Sequence, residues 1–147
     1  MECEMPKFHS NDDEIREYFN KCKTIAVVGC SPKPEKDSHR VSKYLLEAGY
    51  NIIPIYPKEE YILGAKVYKS LKDIKEPVDM VVVFRKPQVV DDIADVCIER
   101  GDVKVLWTQI GIINNSASAK ALENNISVVQ NMCAMVEHKK LFGTSEG

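Results

Sequence analysis

The sequence predicts an α/β protein with a Rossmann-like three-layer fold and a five-stranded, mostly parallel sheet. Three observations predict it. Apolar runs of strand length alternate with segments whose apolar residues recur at helical spacing. The run at residues 25–28 is apolar without alternation, as in a parallel strand covered on both faces. It leads into Gly29, a short loop and then a helical pattern, which together are typical of the opening of a Rossmann unit.

The first elements follow from their end signals. Ser10, followed by acidic residues, predicts the N-cap of a helix that ends near Lys23. Residues 24–28 form the first strand. The apolar spacing within 38–48 predicts the second helix, and Gly49 is placed to stop it.

The middle of the chain mixes strands with irregular structure. Residues 51–56 predict the second strand, with Pro54 near its end because proline cannot donate to a sheet ladder. We expect an irregular segment over 62–68, with a turn and a short extended piece, and then a single helical turn over 70–74. Residues 78–84 predict a central third strand.

The next helix has clear signals at both ends. Pro87 suits a first helical turn, and the apolar spacing continues through Arg100. Gly101 closes the helix, and residues 103–107 predict the fourth strand.

The last elements repeat the alternation. Asn114 or Asn115 caps another helix, residues 126–129 predict the fifth strand, and 133–141 predict a short final helix. Strands separated by helices imply parallel pairing with right-handed crossovers.

Length and composition predict one domain over residues 1–147, with 1–23 as a helical N-terminal extension and 144–147 as a loose tail. The net charge of −2 disfavours nucleic acid as a partner. No apolar run reaches the roughly 18 residues of a membrane-spanning helix. The N-terminus also lacks the apolar stretch of a signal peptide.

The cysteines point to a reducing compartment. There are five, and no two have the C-x-x-C spacing. This pattern disfavours a disulfide framework and a zinc site, and it predicts a cytoplasmic protein with reduced thiols.

Positive side chains follow the predicted strands. In open α/β sheets the ligand lies beyond the carboxyl ends of the strands, so these residues are expected to meet at one edge. They are Lys33, Lys36, Arg40, Lys58, Arg85 and Lys86. This set favours an anionic ligand with several phosphates.

A nicotinamide cofactor fits less well. The loop after the first strand has one of the three glycines of the dinucleotide fingerprint. The second strand ends in Tyr56, Pro57 and Lys58, where NAD would need an acidic residue for its ribose. NADP could use Lys58, so an NADP-linked enzyme stays open.

Several motifs, in this order and spacing, resemble those of small single-domain CoA-binding proteins. That family is similar to the CoA-binding domain of the succinyl-CoA synthetase alpha subunit. The motifs are residues 26–34 (AVVGCSPKP), 49–57 (GYNIIPIYP), 78–81 (VDMV), 83–85 (VFR), 106–111 (LWTQIG), 128–133 (VVQNMC) and 137–138 (EH). The resemblance covers about residues 24–141 and implies coenzyme A or an acyl-CoA as the ligand.

The resemblance also implies a role for each strand end. The first loop would approach a CoA phosphate with its backbone N–H groups. It consists of Gly29, Cys30, Ser31 and Pro32. Phosphate charge would be faced by Lys33 and Arg40. The adenine and ribose 3′-phosphate would be bordered by Tyr56, Pro57 and Lys58. The pyrophosphate or pantetheine path would be lined by Phe84 and Arg85. The pantetheine arm would lie near Trp107, Gln109, Gly111, Asn131 and Cys133.

The sequence carries no catalytic triad and no cluster with metal-ligand spacing, so a binding protein is favoured over an enzyme. It would act as a carrier, a sensor or a detached subunit, with a protein partner or as a homo-oligomer. Two alternatives stay open. One is a small NADP-linked or thiol-dependent enzyme that uses Cys30 or Cys133. The other is an interaction module that has lost its ligand, because Met132 stands where the family often has arginine.

Overall fold

The computed structural model describes residues 10–143, within which helices and strands alternate. The helices are α1 (Asp12–Lys21), α2 (Asp37–Glu47), α3 (Pro87–Arg100), α4 (Asn115–Glu123) and α5 (Ala134–Phe142), with a 3-10 turn at Leu71–Asp73. The strands are β1 (Thr24–Val28), β2 (Asn51–Ile55), β3 (Tyr61–Ile62), β4 (Ala65–Lys66), β5 (Met80–Val83), β6 (Val105–Thr108) and β7 (Ser127–Val129). Residues 1–9 of the predicted extension and the predicted tail 144–147 lie outside the described residues.

The central sheet confirms the predicted fold class. Its five strands run in the order β2-β1-β5-β6-β7, and every neighbouring pair is parallel. From β1 the chain moves outward to β2 and then returns to the other side of β1 for β5. The order therefore reverses between β1 and β5, which is the switch point where ligands bind in such sheets.

Each face of the sheet is covered by helices. Along β1, Ile25 and Val27 belong to the core shared with α1, α2 and α5, whereas Ala26 and Val28 belong to the core shared with α3 and α4. This division explains why the strand is apolar without alternation: both of its faces are buried. No helix within residues 10–143 is both long and apolar enough to cross a membrane.

The start of α1 differs from the prediction. Asn11, not Ser10, is the N-cap: its Oδ1 accepts from the Glu14 N–H at 2.8 Å, and Glu14 Oε1 accepts from the Asn11 N–H at 2.9 Å. Reciprocal capping needs a glutamate three residues after the cap, which Ser10 lacks. The Ser10 hydroxyl instead donates to the carbonyl of Val128 at 3.0 Å. The helix ends at Lys21, two residues before the predicted end.

The segment after β2 is more ordered than predicted. Strands β3 and β4 form a small antiparallel hairpin within 61–66. Tyr68 then bridges the outer edge of β2, where its N–H donates to the carbonyl of Pro54 at 3.0 Å and its carbonyl accepts from the Tyr56 N–H. Pro54 is tolerated because β2 is an edge strand. The bridge places Lys69 at the carboxyl end of β2.

Most other end signals are confirmed. The predicted bounds of α3 are those observed, and Gly101 is left-handed at its end. Asn114 caps α4 through its side chain, and Ser70 caps the 3-10 turn. The bounds of β1 are also those predicted, and α2, β2, β5, β6, β7 and α5 differ from their predicted bounds by one or two residues.

Asp79 joins the start of β1 to the start of β5. Its Oδ2 accepts from the backbone N–H groups of Lys23 at 2.9 Å and Thr24 at 3.0 Å, and Oδ1 lies 3.2 Å from Lys104 Nζ. Burial opposes ionisation here, but these donors and the ammonium group outweigh it and lower the pKa of Asp79. The carboxylate is therefore held charged in the folded state.

We expect Asp79→Ala to reduce the free energy of unfolding at pH 7 by about 1–3 kcal/mol, because it removes hydrogen bonds to a charged acceptor. Because the pKa of Asp79 is lower in the folded state, its carboxylate contributes its full stabilisation above the unfolded pKa of about 3.9. That stabilisation is lost as the pH falls through the folded pKa. The difference between the two proteins should therefore shrink below roughly pH 4. Urea unfolding at several pH values measures it, with the exposed Glu99→Ala as control.

Candidate functional site

A cavity of about 540 Å³ opens at the carboxyl ends of β5 and β6, on the face covered by α2 and α5. Its walls are formed by Asp37, Arg40, Val41, Phe84, Arg85, Lys86, Gln109, Ile110, Ile112, Cys133, Met135 and Val136. The volume is within the ordinary range of small-molecule sites. The cavity lies beside the switch point, where the fold predicts a ligand.

One end of the cavity is positively charged. It carries Arg40 from α2 and the pair Arg85 and Lys86, which follow β5. Arg40 forms an ion pair with Asp37. Neither Arg85 nor Lys86 forms an ion pair within the part of the chain that the structure describes, and both are exposed. These two charges are available to an anionic ligand.

The helices around the cavity share a second feature. The N-cap positions of α2, α3 and α5 are Lys36, Lys86 and Cys133, and none makes a side-chain capping bond. In contrast, α1 and α4 are capped by the side chains of Asn11 and Asn114. An uncapped N-terminus leaves backbone N–H groups and a partial positive charge that favour phosphate. The starts of α2 and α3 therefore add to the positive potential, whereas at α5 the first N–H, that of Ala134, already donates to Gln109 Oε1.

The other end of the cavity is apolar. Ile110 and Val136 are 69% and 52% exposed, and because both line the cavity they form one exposed apolar surface. Ile112 and Met135 extend the same wall. Gln109 lies between the two ends, is buried, and accepts from the Ala134 N–H at 3.4 Å. The cavity thus changes from cationic to apolar along its length.

Gly29 brings the first loop close to the residues that follow β5. Its φ is +89°, and a Cβ at this position would lie 2.8 Å from the Phe84 carbonyl oxygen and 3.2 Å from Arg85 Cδ. The Phe84 N–H also donates to the Val28 carbonyl at 2.9 Å. Only glycine fits this approach without displacing the backbone. Gly29 therefore fixes how closely the first loop approaches the segment after β5.

The N–H groups of that loop bond within the protein, which differs from the role predicted for them. Those of Gly29 and Cys30 donate to the Ile55 carbonyl at 2.9 and 3.1 Å, and that of Ser31 donates to Ser38 Oγ at 2.9 Å. Pro32 has no N–H. The loop therefore shapes the switch point, and its N–H groups already have acceptors.

The structure brings five predicted site residues together and leaves the others outside the cavity walls. Those that line the cavity are Arg40, Phe84, Arg85, Gln109 and Cys133. Lys33, Pro57 and Lys58 are exposed elsewhere on the carboxyl edge, and Tyr56 packs at the border of the core. Proximity in sequence to a strand end was not sufficient to place these side chains in the cavity.

Three further predicted residues support the cavity from behind. Trp107 is fully buried, and its Nε1 donates to the Met132 carbonyl at 2.8 Å. Asn131 Oδ1 accepts from the Gly111 N–H at 2.7 Å, which ties the loop after β7 to the loop after β6. These contacts position the neighbouring residues Ile110 and Cys133.

The apolar wall of the cavity was not predicted from the sequence. Ile110 and Ile112 flank Gly111, and Met135 and Val136 occupy the first turn of α5. The only signal available was that aliphatic residues stand in a loop and at a helix start, where polar residues are usual. These two segments face each other only in the folded protein, so the sequence does not show that they form one wall.

The thiols differ in their surroundings. Cys30 is fully buried with its Sγ 3.5 Å from Ser42 Oγ, and burial raises its pKa. Burial also raises the pKa of Cys22 to about 11 and that of Cys97 to about 12. Cys133 is partly exposed and lines the cavity. A reactive role is therefore disfavoured for Cys30, which leaves Cys133.

His138 lies away from the cavity in an aromatic cluster. Its Nδ1 is hydrogen-bonded to the Tyr44 hydroxyl at 2.7 Å, and its ring meets the edge of Phe19 at 5.0 Å. Burial lowers the pKa of His138. These contacts indicate a structural role in docking α5. Within residues 10–143 no three His, Cys, Asp or Glu side chains are grouped as a metal site requires.

Comparison with known proteins agrees with this fold. The uncharacterized protein YneT of Bacillus subtilis is 40% identical over 125 residues, which are 85% of this chain and 92% of that protein. A hypothetical protein from Pyrococcus horikoshii OT3 has a solved structure with a TM-score of 0.88. It is 43% identical, and the match covers 97% of this chain and all of the other.

A longer relative is also similar. The alpha subunit of ADP-forming acetate–CoA ligase II from Pyrococcus furiosus is 31% identical over 111 residues, 75% of this chain but 24% of that subunit. The chain thus spans about a quarter of the ligase subunit. A family model described as a CoA binding domain matches residues 23–139. Since that match covers most of the chain, the protein belongs to the CoA binding domain family.

Proposed function

We propose that the protein binds coenzyme A or an acyl-CoA at the carboxyl ends of the strands and has no catalysis of its own. The observation that carries the proposal is the change in character along the 540 Å³ cavity, from Arg85 and Lys86 at one end to Ile110 and Val136 at the other. CoA has a matching distribution, with its phosphates at one end and an uncharged pantetheine arm at the other.

The cationic end suits the diphosphate. The unpaired Arg85 and Lys86 can form charge-assisted hydrogen bonds to phosphate oxygens, and such bonds are stronger than neutral ones. The uncapped starts of α2 and α3 add N–H donors at the same end. The apolar end suits the pantetheine arm and, beyond it, a small acyl group against Ile110 and Val136.

The role most compatible with these features is that of a carrier, a sensor or a detached subunit. The ligase relative in which this region recurs is itself one subunit of an enzyme, which supports a protein partner or self-association. The cysteines within residues 10–143 are all free thiols, which supports a reducing, cytoplasmic setting.

Calorimetric titration tests the proposal with three ligands: CoA, NADP⁺ and pantetheine. We expect CoA to bind, pantetheine to bind more weakly because it lacks the phosphates, and NADP⁺ to give no saturable heat. Saturable binding of NADP⁺ without CoA would favour the nicotinamide-linked enzyme instead. No heat from any of them at millimolar concentration would reject the proposal and leave an interaction module.

Cys133 provides an independent measure of occupancy. In a Cys3→Ser background, which removes the one cysteine outside the described residues, we expect Cys133 to react fastest with a disulfide reagent at pH 8. The other three thiols are buried and have raised pKa values. Saturating acetyl-CoA, which has no free thiol to react with the reagent, should slow this fast phase, and Cys133→Ser should abolish it. A fast phase that acetyl-CoA leaves unchanged would place the pantetheine arm elsewhere.

A further inference from the structure

Helix α5 connects the cavity with a separate cluster of aromatic side chains. Met135 and Val136, in its first turn, belong to the apolar wall of the cavity. His138, one turn further on, lies in the aromatic cluster, against the Phe19 ring of α1. The helix has nine residues and is a stiff element, because backbone hydrogen bonds run along its length. A change in how its inner face docks therefore moves the cavity wall.

The inner face of α5 contains two ionisable side chains. Its buried residues are Ala134, Glu137 and His138, and their spacing places them on one side of the helix. Alanine buries little apolar area, and the larger apolar side chains of Met135 and Leu141 are only partly buried. An imidazole ring therefore occupies the place where a helix packed on a core usually has a large apolar residue.

His138 is 9% exposed and is enclosed by aromatic rings. Its ring packs against those of Phe142, Phe19 and Tyr50, whose centroids lie 4.8, 5.0 and 5.7 Å away. Its Nδ1 is hydrogen-bonded to the hydroxyl of Tyr44 on α2. Burial in these surroundings favours the neutral ring and lowers the pKa of His138.

Within residues 10–143, no carboxylate forms an ion pair with His138. Glu137, beside it in sequence, lies 3.1 Å from Lys140 Nζ, and the same ammonium group lies 3.2 Å from Asp12 of α1. Glu47 of α2 is exposed, so water screens its charge. A positive charge on His138 is therefore buried without a counter-ion while α5 is docked.

The remaining groups around His138 add no negative charge. Burial raises the pKa of Tyr44 and raises that of Tyr50 to about 12, so both hydroxyls stay neutral. Lys139 Nζ lies 5.5 Å from the centre of the Tyr44 ring, which puts another positive charge beside the cluster. A cleft of about 570 Å³ between the ends of α2 and α5 opens onto His138. Protons from water therefore have access to a ring that the docked helix keeps neutral.

We propose that His138 makes the apolar end of the cavity sensitive to pH through the docking of α5. When His138 takes up a proton, the charged ring is unstable in the aromatic cluster, and the inner face of α5 separates from α1 and α2. Met135 and Val136 then leave the position in which they form the apolar wall. Binding of the pantetheine arm weakens as a result, a consequence that rests on the proposed function.

The direction of the effect follows from the two states of α5. The docked helix holds the neutral ring, whereas release exposes His138 to water, where its pKa returns to about 6.5. The released state therefore binds more protons, and its population grows as the pH falls below that value. Above about pH 7.5 the ring is neutral in both states, and docking no longer depends on its charge.

Hydrogen exchange at about pH 7.5 and pH 5.5 tests the release of α5 without any ligand. After correction for the intrinsic rate at each pH, the amides of residues 134–142 should exchange faster at the lower pH. One proton, one pH unit below 6.5, limits the acceleration to about tenfold. The amides of α4, which packs on the other face of the sheet, are the internal control and should not accelerate.

Two variants remove the titrating group. His138→Phe keeps an uncharged ring in the cluster, and His138→Asn keeps a polar atom near the Nδ1 position that contacts Tyr44. Thermal unfolding at about pH 7.5 checks that both fold. We expect neither to show the acceleration. Equal exchange of 134–142 at the two pH values in the wild type, or an acceleration that both variants keep, would overturn the inference.

Calorimetric titration with CoA at the same two pH values tests the effect on the cavity. The phosphate of CoA also titrates in this range, but it does so equally for each protein, so the ratio of wild-type to His138→Phe affinity is compared. We expect this ratio to fall at the lower pH, by up to about tenfold. A constant ratio would overturn the link between α5 and the cavity. Absence of CoA binding at both pH values would reject the proposed function, and hydrogen exchange would still decide whether His138 releases α5.

Discussion

Replacing Gly29 with alanine is expected to reduce the free energy of unfolding by about 2–5 kcal/mol and to weaken CoA binding. Two costs combine at this position. The φ of +89° is unfavourable for any residue with a side chain, and the new Cβ would lie 2.8 Å from the Phe84 carbonyl oxygen. Relief of that contact moves the segment that carries Arg85. Urea unfolding and calorimetric titration measure the two effects.

Gly101 is the matched control. Its φ is +79°, but a Cβ there would meet nothing within 4 Å. Gly101→Ala therefore carries only the conformational cost, about 1–2 kcal/mol, and should leave CoA binding unchanged. If the two variants lose the same free energy of unfolding, the close approach of Gly29 to the Phe84 carbonyl oxygen adds no cost of its own.

Replacing Arg85 with alanine is expected to weaken CoA binding by about tenfold or more while leaving pantetheine binding unchanged. Arg85 lines the cavity and makes no hydrogen bond or ion pair within residues 10–143. Its removal therefore takes away a phosphate contact without breaking the fold. Arg85→Lys should recover part of the affinity, because it keeps the charge but not the planar, bidentate donor group.

Lys33→Ala is the control for Arg85. Lys33 follows β1, on the other side of the switch point from Arg85, and does not line the cavity. We expect only a small effect on CoA binding. If Lys33→Ala weakens CoA binding as much as Arg85→Ala does, the affinity depends on the positive electrostatic potential of the whole sheet edge and not on a contact made by Arg85. Equal losses for CoA and pantetheine in Arg85→Ala would mean that Arg85 does not contact phosphate.

The fold could be predicted well from sequence because its signals are local. Pro87 and Gly101 mark the ends of α3, and the unalternating run in β1 shows a strand buried on both faces. The errors came where a nonlocal partner decides the structure. Ser10 is drawn to Val128 across the fold, and Tyr68 is held by the edge of β2.

The candidate site was only partly predictable. Residues directly after β5, such as Arg85, were found because the switch point lies there. The apolar wall at Ile110 and Val136 depends on the loop after β6 facing the start of α5. The place of Trp107 at the end of a strand does not show whether its side chain is buried in the core or lines the cavity. Strand ends predict the edge of the sheet but not the direction of a side chain.

A crystal structure of the protein with CoA would show where the ligand binds. We expect the diphosphate beside Arg85 and the pantetheine sulfur near Cys133. Electron density for CoA that makes no contact with Arg85, or that lies away from the carboxyl ends of the strands, would contradict this placement.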